Sequence, residues 1–114
     1  MGWTEDVSLA LKVRGYRVSR VVERFRSFEG SIVERIKVVG FSSDGRVKIS
    51  VVGLEGGLKV SILVSGGIES LHGLAEDAEA LGGIVDLDED SGRLYIVFKS
   101  IDVERAGALI ESLL

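Results

Sequence analysis

Two glycine-containing turns are the places where this chain could hold a small anion. Ser65-Gly66-Gly67 stands between an apolar run and a helical pattern, so free backbone N–H groups at a helix start could bind a carboxylate or a phosphate. Arg14-Gly15-Tyr16-Arg17 offers two guanidinium groups that can make bidentate bonds to the same kind of anion. For Ser65-Gly66-Gly67, a tight turn without a ligand is the alternative. This segment lacks the residues of a P-loop or of a dinucleotide-binding loop.

An arginine stripe is the candidate for contact with nucleic acid. If residues 17–29 form a helix, Arg17, Arg20 and Arg24 share one side of it and could follow phosphates. No aromatic residues are interleaved with these arginines for stacking on bases, and the net charge of the chain is −4. The sequence therefore argues against nucleic-acid binding and favours a solvated or dimer-facing stripe.

No residues form a recognisable catalytic or metal centre. The chain has no Cys, and His72 is its one histidine, which excludes thiolate chemistry, a zinc site and a familiar nucleophile–base pair. The acidic segment 86–92 alternates carboxylates, but Val97 stands where a calcium loop needs a bidentate Glu. We therefore expect no catalytic residue, no metal and no cofactor, and we expect that the protein is not an enzyme.

Composition indicates one domain with unusual amino-acid usage. At 114 residues the chain has room for a single core, and no apolar run approaches the ~18 residues of a membrane span. A cytoplasmic protein without membrane contact is the expectation. Asn, Gln, Cys and Pro are absent and Met occurs once. Because loss of thermolabile side chains is one route to thermal stability, we expect a thermophilic source.

Charge is divided unevenly along the chain. Residues 1–52 carry ten Lys or Arg and six Asp or Glu, whereas residues 53–114 carry four and twelve. Such a basic half and acidic half favour self-association or the orientation of a charged partner. An ordinary solvated surface is the alternative.

The apolar pattern predicts that one small unit occurs twice. Residues 7–33 align with residues 60–86 without a gap, and apolar residues meet at nine positions. Alternation over 7–13 predicts a strand, and the three-and-four spacing over 17–29 predicts a helix that ends at Gly30. Further strands are predicted over 31–41, 46–52, 58–64, 84–88 and 93–99, and further helices over 68–81 and 103–113, the last with Asp102 as its N-cap.

This order, βαβββαββα, predicts an α+β protein of two layers, with helices on one side of a mainly antiparallel sheet. The prediction is a ferredoxin-like sandwich built from two βαββ repeats. Units 7–53 and 58–114 would together form a single domain over 1–114. Ser42-Ser43-Asp44-Gly45 and Asp90-Ser91-Gly92 are the predicted hairpin turns.

Residues 8–52 resemble an ACT domain, a ligand-sensing module attached to many enzymes of amino-acid metabolism. The resemblance lies in the turn at Gly15, the predicted helix 18–28, the segment Gly30-Ser31-Ile32-Val33-Glu34 and the hairpin at Asp44-Gly45-Arg46, and residues 60–99 look similar again. It implies an amino acid bound where two such units pair. Gly15, Gly66 and Gly67 would then approach the ligand.

Residues 58–114 also resemble the small dimerising subunit of the archaeal KEOPS tRNA-modification complex. This second resemblance rests on their predicted βαββα order and on Lys99-Ser100-Ile101-Asp102 at the entry to the last helix. It implies an assembly adapter without a small-molecule site.

The first functional expectation is a noncatalytic regulatory module that binds an amino-acid-like metabolite through Arg14, Gly15, Arg17, Ser65, Gly66 and Gly67. An adapter subunit of a multiprotein complex is the second, and a nucleic-acid-binding protein is the third. We also expect a homodimer or a higher even oligomer, because the predicted strand 47–52 has one charge and no Pro to protect a sheet edge.

Overall fold

The computed structural model describes residues 2–114, which form three helices and six strands. The order is αββββαββα. The elements are α1 (Trp3–Lys12), β1 (Arg17–Arg26), β2 (Ile32–Phe41), β3 (Val47–Leu54), β4 (Gly57–Ser65), α2 (Ile68–Ala80), β5 (Ile84–Asp88), β6 (Arg93–Ile101) and α3 (Val103–Leu113).

The six strands form one antiparallel sheet with the order β1-β2-β3-β4-β6-β5. Short connections join the first four strands as neighbours. Helix α2 then connects β4 to β5, which is not its neighbour in the sheet. Strand β6 follows β5 in the chain and lies between β4 and β5. Every strand is antiparallel to its neighbours, so the two outer strands, β1 and β5, run in opposite directions.

The helices of residues 2–114 cover one face of the sheet. Helix α1 packs over β1 and β2, α3 over β4, and α2 over β5 and β6. Along β4, the buried Val60 and Ile62 face the helices, whereas Lys59 and Ser61 point to the other side. We call that other side the open face. The core lies between sheet and helices, where each fully buried Leu or Ile stabilises the fold by roughly 1.5–3 kcal/mol.

One end of the β1–β2 hairpin extends beyond the rest of the sheet. Strand β1 pairs with β2 along its whole length, but β3 pairs with β2 only from Lys37 to Phe41. Residues 22–36 are therefore a two-stranded extension, which we call the arm. Its tip is a tight turn in which Ser27 N donates to Ser31 O at 2.9 Å and Gly30 has a φ of 86°. The molecule is accordingly elongated, with extents of 46 × 31 × 24 Å.

The structure shows that the first two predicted elements are wrong in type. The predicted strand 7–13 belongs to α1, because Val7 and Leu11, four residues apart, are buried while Leu9 between them is 62% exposed. The predicted helix 17–29 is β1 with its following turn. Its β-branched and aromatic residues suit a strand, and Gly30 completes a hairpin turn where a helix stop was expected.

The two-layer α+β architecture is confirmed, but the predicted order of two βαββ repeats is not. Aligning residues 7–33 with 60–86 now matches helix α1 with strand β4, so the first unit is not a copy of the second. The other predicted elements form where expected, including α3, whose N-cap Asp102 accepts a hydrogen bond from Arg105 N at 2.7 Å. Within residues 2–114, none of the helices has the length and apolar character that crossing a membrane needs.

Candidate functional site

The two turns predicted to bind an anion lie at the same end of the sheet but apart from each other. Strand β1 begins at Arg17 and β4 ends at Ser65, with β2 and β3 between them. At a strand spacing of about 4.8 Å, the two turns are roughly 14 Å apart. The structure therefore does not bring the six predicted residues into one pocket.

Arg14 is engaged within the fold. Its Nε donates to Ile110 O at 3.2 Å and its Nη2 donates to Glu111 O at 2.9 Å, in the last turn of α3. Gly15 next to it has a φ of 82° and forms the turn from α1 to β1. The guanidinium thus provides a partner for Glu111 O and a second hydrogen bond to Ile110 O, which also accepts from Leu114 N at 3.0 Å.

The Ser65-Gly66-Gly67 turn is tied to the neighbouring loops. Ser65 N donates to Arg46 O at 2.9 Å, and Arg46 Nε donates back to Ser65 O at 3.0 Å. Gly66 N donates to Gly92 O at 3.1 Å. The Arg46 guanidinium crosses Gly66 so closely that an added Cβ would lie 1.9 Å from its Nη2. Gly66 is needed for this contact, and two N–H groups of the turn already have partners.

The loop before Arg46 is held by Asp44. Asp44 Oδ1 accepts from Ser42 Oγ at 2.6 Å and from Arg46 N at 3.0 Å. These two hydrogen bonds lower the pKa of Asp44 below its ordinary value, and the bond from the Ser42 hydroxyl has the larger effect. The charged carboxylate closes the predicted hairpin turn and so positions the Arg46 side chain.

Charge in this protein is separated by layer. The strands carry ten Lys or Arg and four Asp or Glu, whereas the helices carry two and eight. The sheet therefore has a net charge of +6 and the helical layer has −6. An overall acidic protein thus presents a basic sheet, and its basic side chains concentrate on the open face.

Three parallel rows of side chains cross the open face. The register aligns Phe41 of β2, Lys48 of β3, Leu63 of β4 and Tyr95 of β6 in the first row. The second row contains Ser50 and Ser61, and the third contains Lys37, Val52 and Lys59. Residues two apart on a strand are separated by about 6.8 Å, so roughly 14 Å separates the outer rows.

The rows enclose a shallow depression that we call the lysine trough. It has a volume of about 280 Å³. Its small serine side chains form the floor and the longer residues of the outer rows form the rims. The lining residues are Lys37, Lys48, Ser50, Val52, Lys59, Ser61, Leu63 and Tyr95.

The trough is lined by cations, hydroxyl groups and an aromatic ring. Lys37 Nζ lies 3.5 Å from Glu23 Oε1, and Lys48 Nζ lies 5.7 Å from the centroid of the Phe41 ring. Among residues 2–114, Lys59 has no carboxylate within ion-pair distance. Tyr95 is 43% exposed. Cations, hydroxyl groups and an exposed ring together can bind phosphates and an aromatic base.

Another cavity, of about 420 Å³, lies between α1 and the edge strand β1. Glu5 lines it together with Lys12 and Arg20, so its charges are mixed. His72 is also on the surface, where its Nε2 lies 2.9 Å from Glu89 Oε1. Neither place brings three lysines together as the lysine trough does.

Sequence reasoning missed the trough because its members come from four strands. Lys37, Lys48 and Tyr95 come from β2, β3 and β6 and meet only through the order and register of the strands. The signal that could have found them is the alternation within β3 and β4, where Lys48 and Ser50 match Lys59 and Ser61 as polar residues between buried apolar ones.

Comparisons with protein-family models, with curated proteins and with solved structures return no match to this chain.

Proposed function

We propose that this protein is a noncatalytic binding module that holds a single strand of nucleic acid on the open face of its sheet. The observation that carries the proposal is the lysine trough, where three lysines surround two serines beside Tyr95. Lysine ammonium groups and serine hydroxyl groups match the phosphates of a nucleic-acid backbone.

The acidic net charge does not oppose this binding. The carboxylates of the helical layer lie behind the sheet and at least one helix diameter, about 10 Å, from the open face. Because the screening length is about 8 Å at physiological salt, a phosphate in the trough interacts mainly with the nearby lysines. The acidic helices instead restrict a polyanion to the open face.

The aromatic residues favour a single strand over a duplex. In the first row, Phe41 and Tyr95 lie on either side of Lys48 and Leu63. The row continues to Arg17 of β1 beyond Phe41 and to Asp86 of β5 beyond Tyr95. A ring can stack only on a base that is not enclosed in a double helix, and such stacking contributes about 1–3 kcal/mol per base. A sheet face that carries both rings and lysines therefore suits unpaired bases.

Fluorescence anisotropy with labelled single-stranded RNA and DNA oligonucleotides tests the proposal. We expect binding at low salt that weakens as salt is raised. Lys48→Ala and Lys59→Ala should each weaken binding and reduce the slope of log K against log salt by about 0.7, as expected for one lost phosphate contact. The matched control is Lys12→Ala, which removes a lysine from the helical layer.

Replacing Tyr95 separates stacking from charge. Tyr95→Ala should reduce affinity by roughly 5- to 150-fold without changing the salt slope, while Tyr95→Phe keeps most of the affinity. Absence of binding by the wild-type protein, or equal losses for Lys12→Ala and Lys48→Ala, would overturn the proposal. Preference for a duplex of the same length would point to a shape-reading mode instead.

The amino-acid sensor and the assembly adapter implied by the two resemblances stay predictions. Arg14 already binds α3 and the Arg46 side chain lies against Gly66, so part of each predicted turn is already occupied. A thermal-shift screen with the common amino acids tests the sensor directly, because a ligand that binds only the folded state raises the unfolding temperature.

A further inference from the structure

The two edges of the sheet are opposite in charge. Strand β1 carries four arginines and one glutamate, whereas β5 carries Asp86 and Asp88 and has no Lys or Arg. Both edges are open along residues 2–114, and no proline protects either of them. Apolar side chains accompany the charges, since Ile84 is 60% exposed and Val21 is 39% exposed.

The backbone of these edges is compatible with pairing between copies. The tip bond from Ser27 N to Ser31 O makes the odd-numbered residues of β1 hydrogen-bond to β2, so Val18 and Arg20 direct their N–H groups outward. The bond from Gly66 N to Gly92 O determines which residues of β4, β6 and β5 direct their N–H groups to which neighbour. In β5, the N–H groups of Val85 and Leu87 therefore point away from the sheet.

On both edges, the residues whose N–H groups point away from the sheet have their side chains on the helical side. Val18 packs against the core, and so do Val85 and Leu87. Strands β1 and β5 also run in opposite directions. A second copy can therefore continue the sheet with antiparallel hydrogen bonds while both open faces remain on the same side.

We propose that copies of this protein associate head to tail, with β1 of one copy paired to β5 of the next. The register that satisfies both charge and hydrogen bonding places Arg17 opposite the partner's Asp88. Ser19 then lies opposite the partner's Asp86, and Val21 opposite the partner's Ile84. On the helical side, Val18 and Arg20 meet the partner's Leu87 and the partner's Val85.

Charge next to the paired strands supports the same arrangement. Arg20, Arg24 and Arg26 lie on the helical side of β1, towards the arm. Helix α2 flanks β5 on that side, carries four carboxylates without any Lys or Arg, and ends where the arm of the next copy would extend. The alternative, a twofold pairing of β1 with itself, would place four arginines against four arginines.

The association is heterologous, so it generates a ring if the rotation closes and a filament if it does not. It does not rest on the nucleic-acid binding proposed above. Light scattering at micromolar concentration and low salt should give a mass above that of a monomer. That mass should rise with concentration and fall as salt is raised.

Two single variants each remove one edge. Arg20→Pro removes a charge and an outward N–H from β1 without breaking a bond to β2, and Asp86→Lys reverses a charge on β5. Both should be monomeric. The control Glu55→Lys makes the same charge change in the exposed β3–β4 turn and should associate like the wild-type protein.

Mixing the two variants is the decisive measurement. The mixture retains one intact pair of edges, so it should form a one-to-one dimer that neither variant forms alone. A wild-type monomer at all concentrations, or an Asp86→Lys variant that still dimerises, would overturn the proposal, the latter in favour of twofold pairing. Circular dichroism checks folding. If Arg20→Pro does not fold, Arg17→Glu replaces it, and its mixture with Asp86→Lys must restore association.

Discussion

At the scale of single residues, the turn between β3 and β4 contains two glycines with different tasks. Gly57 has a φ of 137°, and a Cβ built on it would lie 2.9 Å from Ile101 O at the end of β6. Gly56 beside it has no atom within 4 Å of its Cβ position. The fold therefore depends on the absence of a side chain at one of these positions only.

We expect Gly57→Ala to lower the free energy of unfolding by about 1–3 kcal/mol, because both its backbone conformation and the contact with the Ile101 carbonyl become strained. Gly56→Ala should change it by no more than about 0.5 kcal/mol. Urea unfolding of the two variants measures the difference. Equal losses for both would contradict this account of the turn.

The candidate site shows what sequence could and could not predict at this scale. The hairpin turn at Asp44-Gly45 was predictable because short-range turn chemistry determines it, and Gly45 indeed has a φ of 74°. The proximity of Lys48 to Tyr95 was not, because it depends on which strands are neighbours and in what register. Only the sheet order supplies that information.

At the scale of elements, Arg14 joins the end of α1 to the end of α3. Its guanidinium donates to Ile110 O and Glu111 O, so it places a positive charge at the negative end of α3 and adds to the bond that Ile110 O already accepts from Leu114 N. Helix α3 has no basic residue in its own last turn. Arg14, in the turn between α1 and β1, therefore supplies the positive charge that the last turn of α3 lacks.

We expect Arg14→Ala to lower the free energy of unfolding by about 1–2 kcal/mol, since it removes two charge-assisted hydrogen bonds at a partly exposed position. Arg14→Lys should recover part of the loss because it keeps the charge without the guanidinium fork. Arg26→Ala, on the exposed arm, is the control and should be nearly neutral. Denaturant unfolding at high salt, which disfavours association, gives the comparison.

The first two elements show why local patterns misled. Val7, Leu9 and Leu11 satisfy a strand period, yet Val7 and Leu11 also satisfy a helix period, and packing against the sheet selects the second. In β1, Val21 and Val22 fall on opposite faces, which a helical pattern cannot reveal. The later elements were predictable because glycine turns bound short, clearly periodic segments.

At the scale of the whole molecule, the thermophilic source stays a prediction that composition supports. The ion pairs of residues 2–114 are isolated and exposed: Arg24 with Glu34, Lys37 with Glu23, and His72 with Glu89. Exposed pairs of this kind contribute little, at most about 1 kcal/mol each. Extra stability would therefore come from the core and the short connections, not from ion-pair networks.

We expect thermal unfolding above about 65 °C, the upper end of the mesophilic range, with little dependence on salt for the monomer. Calorimetry of the monomeric Asp86→Lys variant measures this without a contribution from association. A midpoint near 50 °C would contradict the expectation, and a strong salt dependence would show that ion pairs matter more than their exposure suggests.

The position of β6 between β4 and β5 also determines when the fold can be completed during protein synthesis. Strand β5 precedes β6 in the chain, and β6 is its one neighbour in the sheet. A nascent chain ending before Arg93 can form the β1–β4 sheet, but it leaves a vacant strand position of about 10 Å between β4 and β5. Leu94, Ile96 and Phe98 of β6 fill that position. The core can therefore close only after β6 has been synthesised. Until then, the edge of β4 that later pairs with β6 is open to other nascent chains.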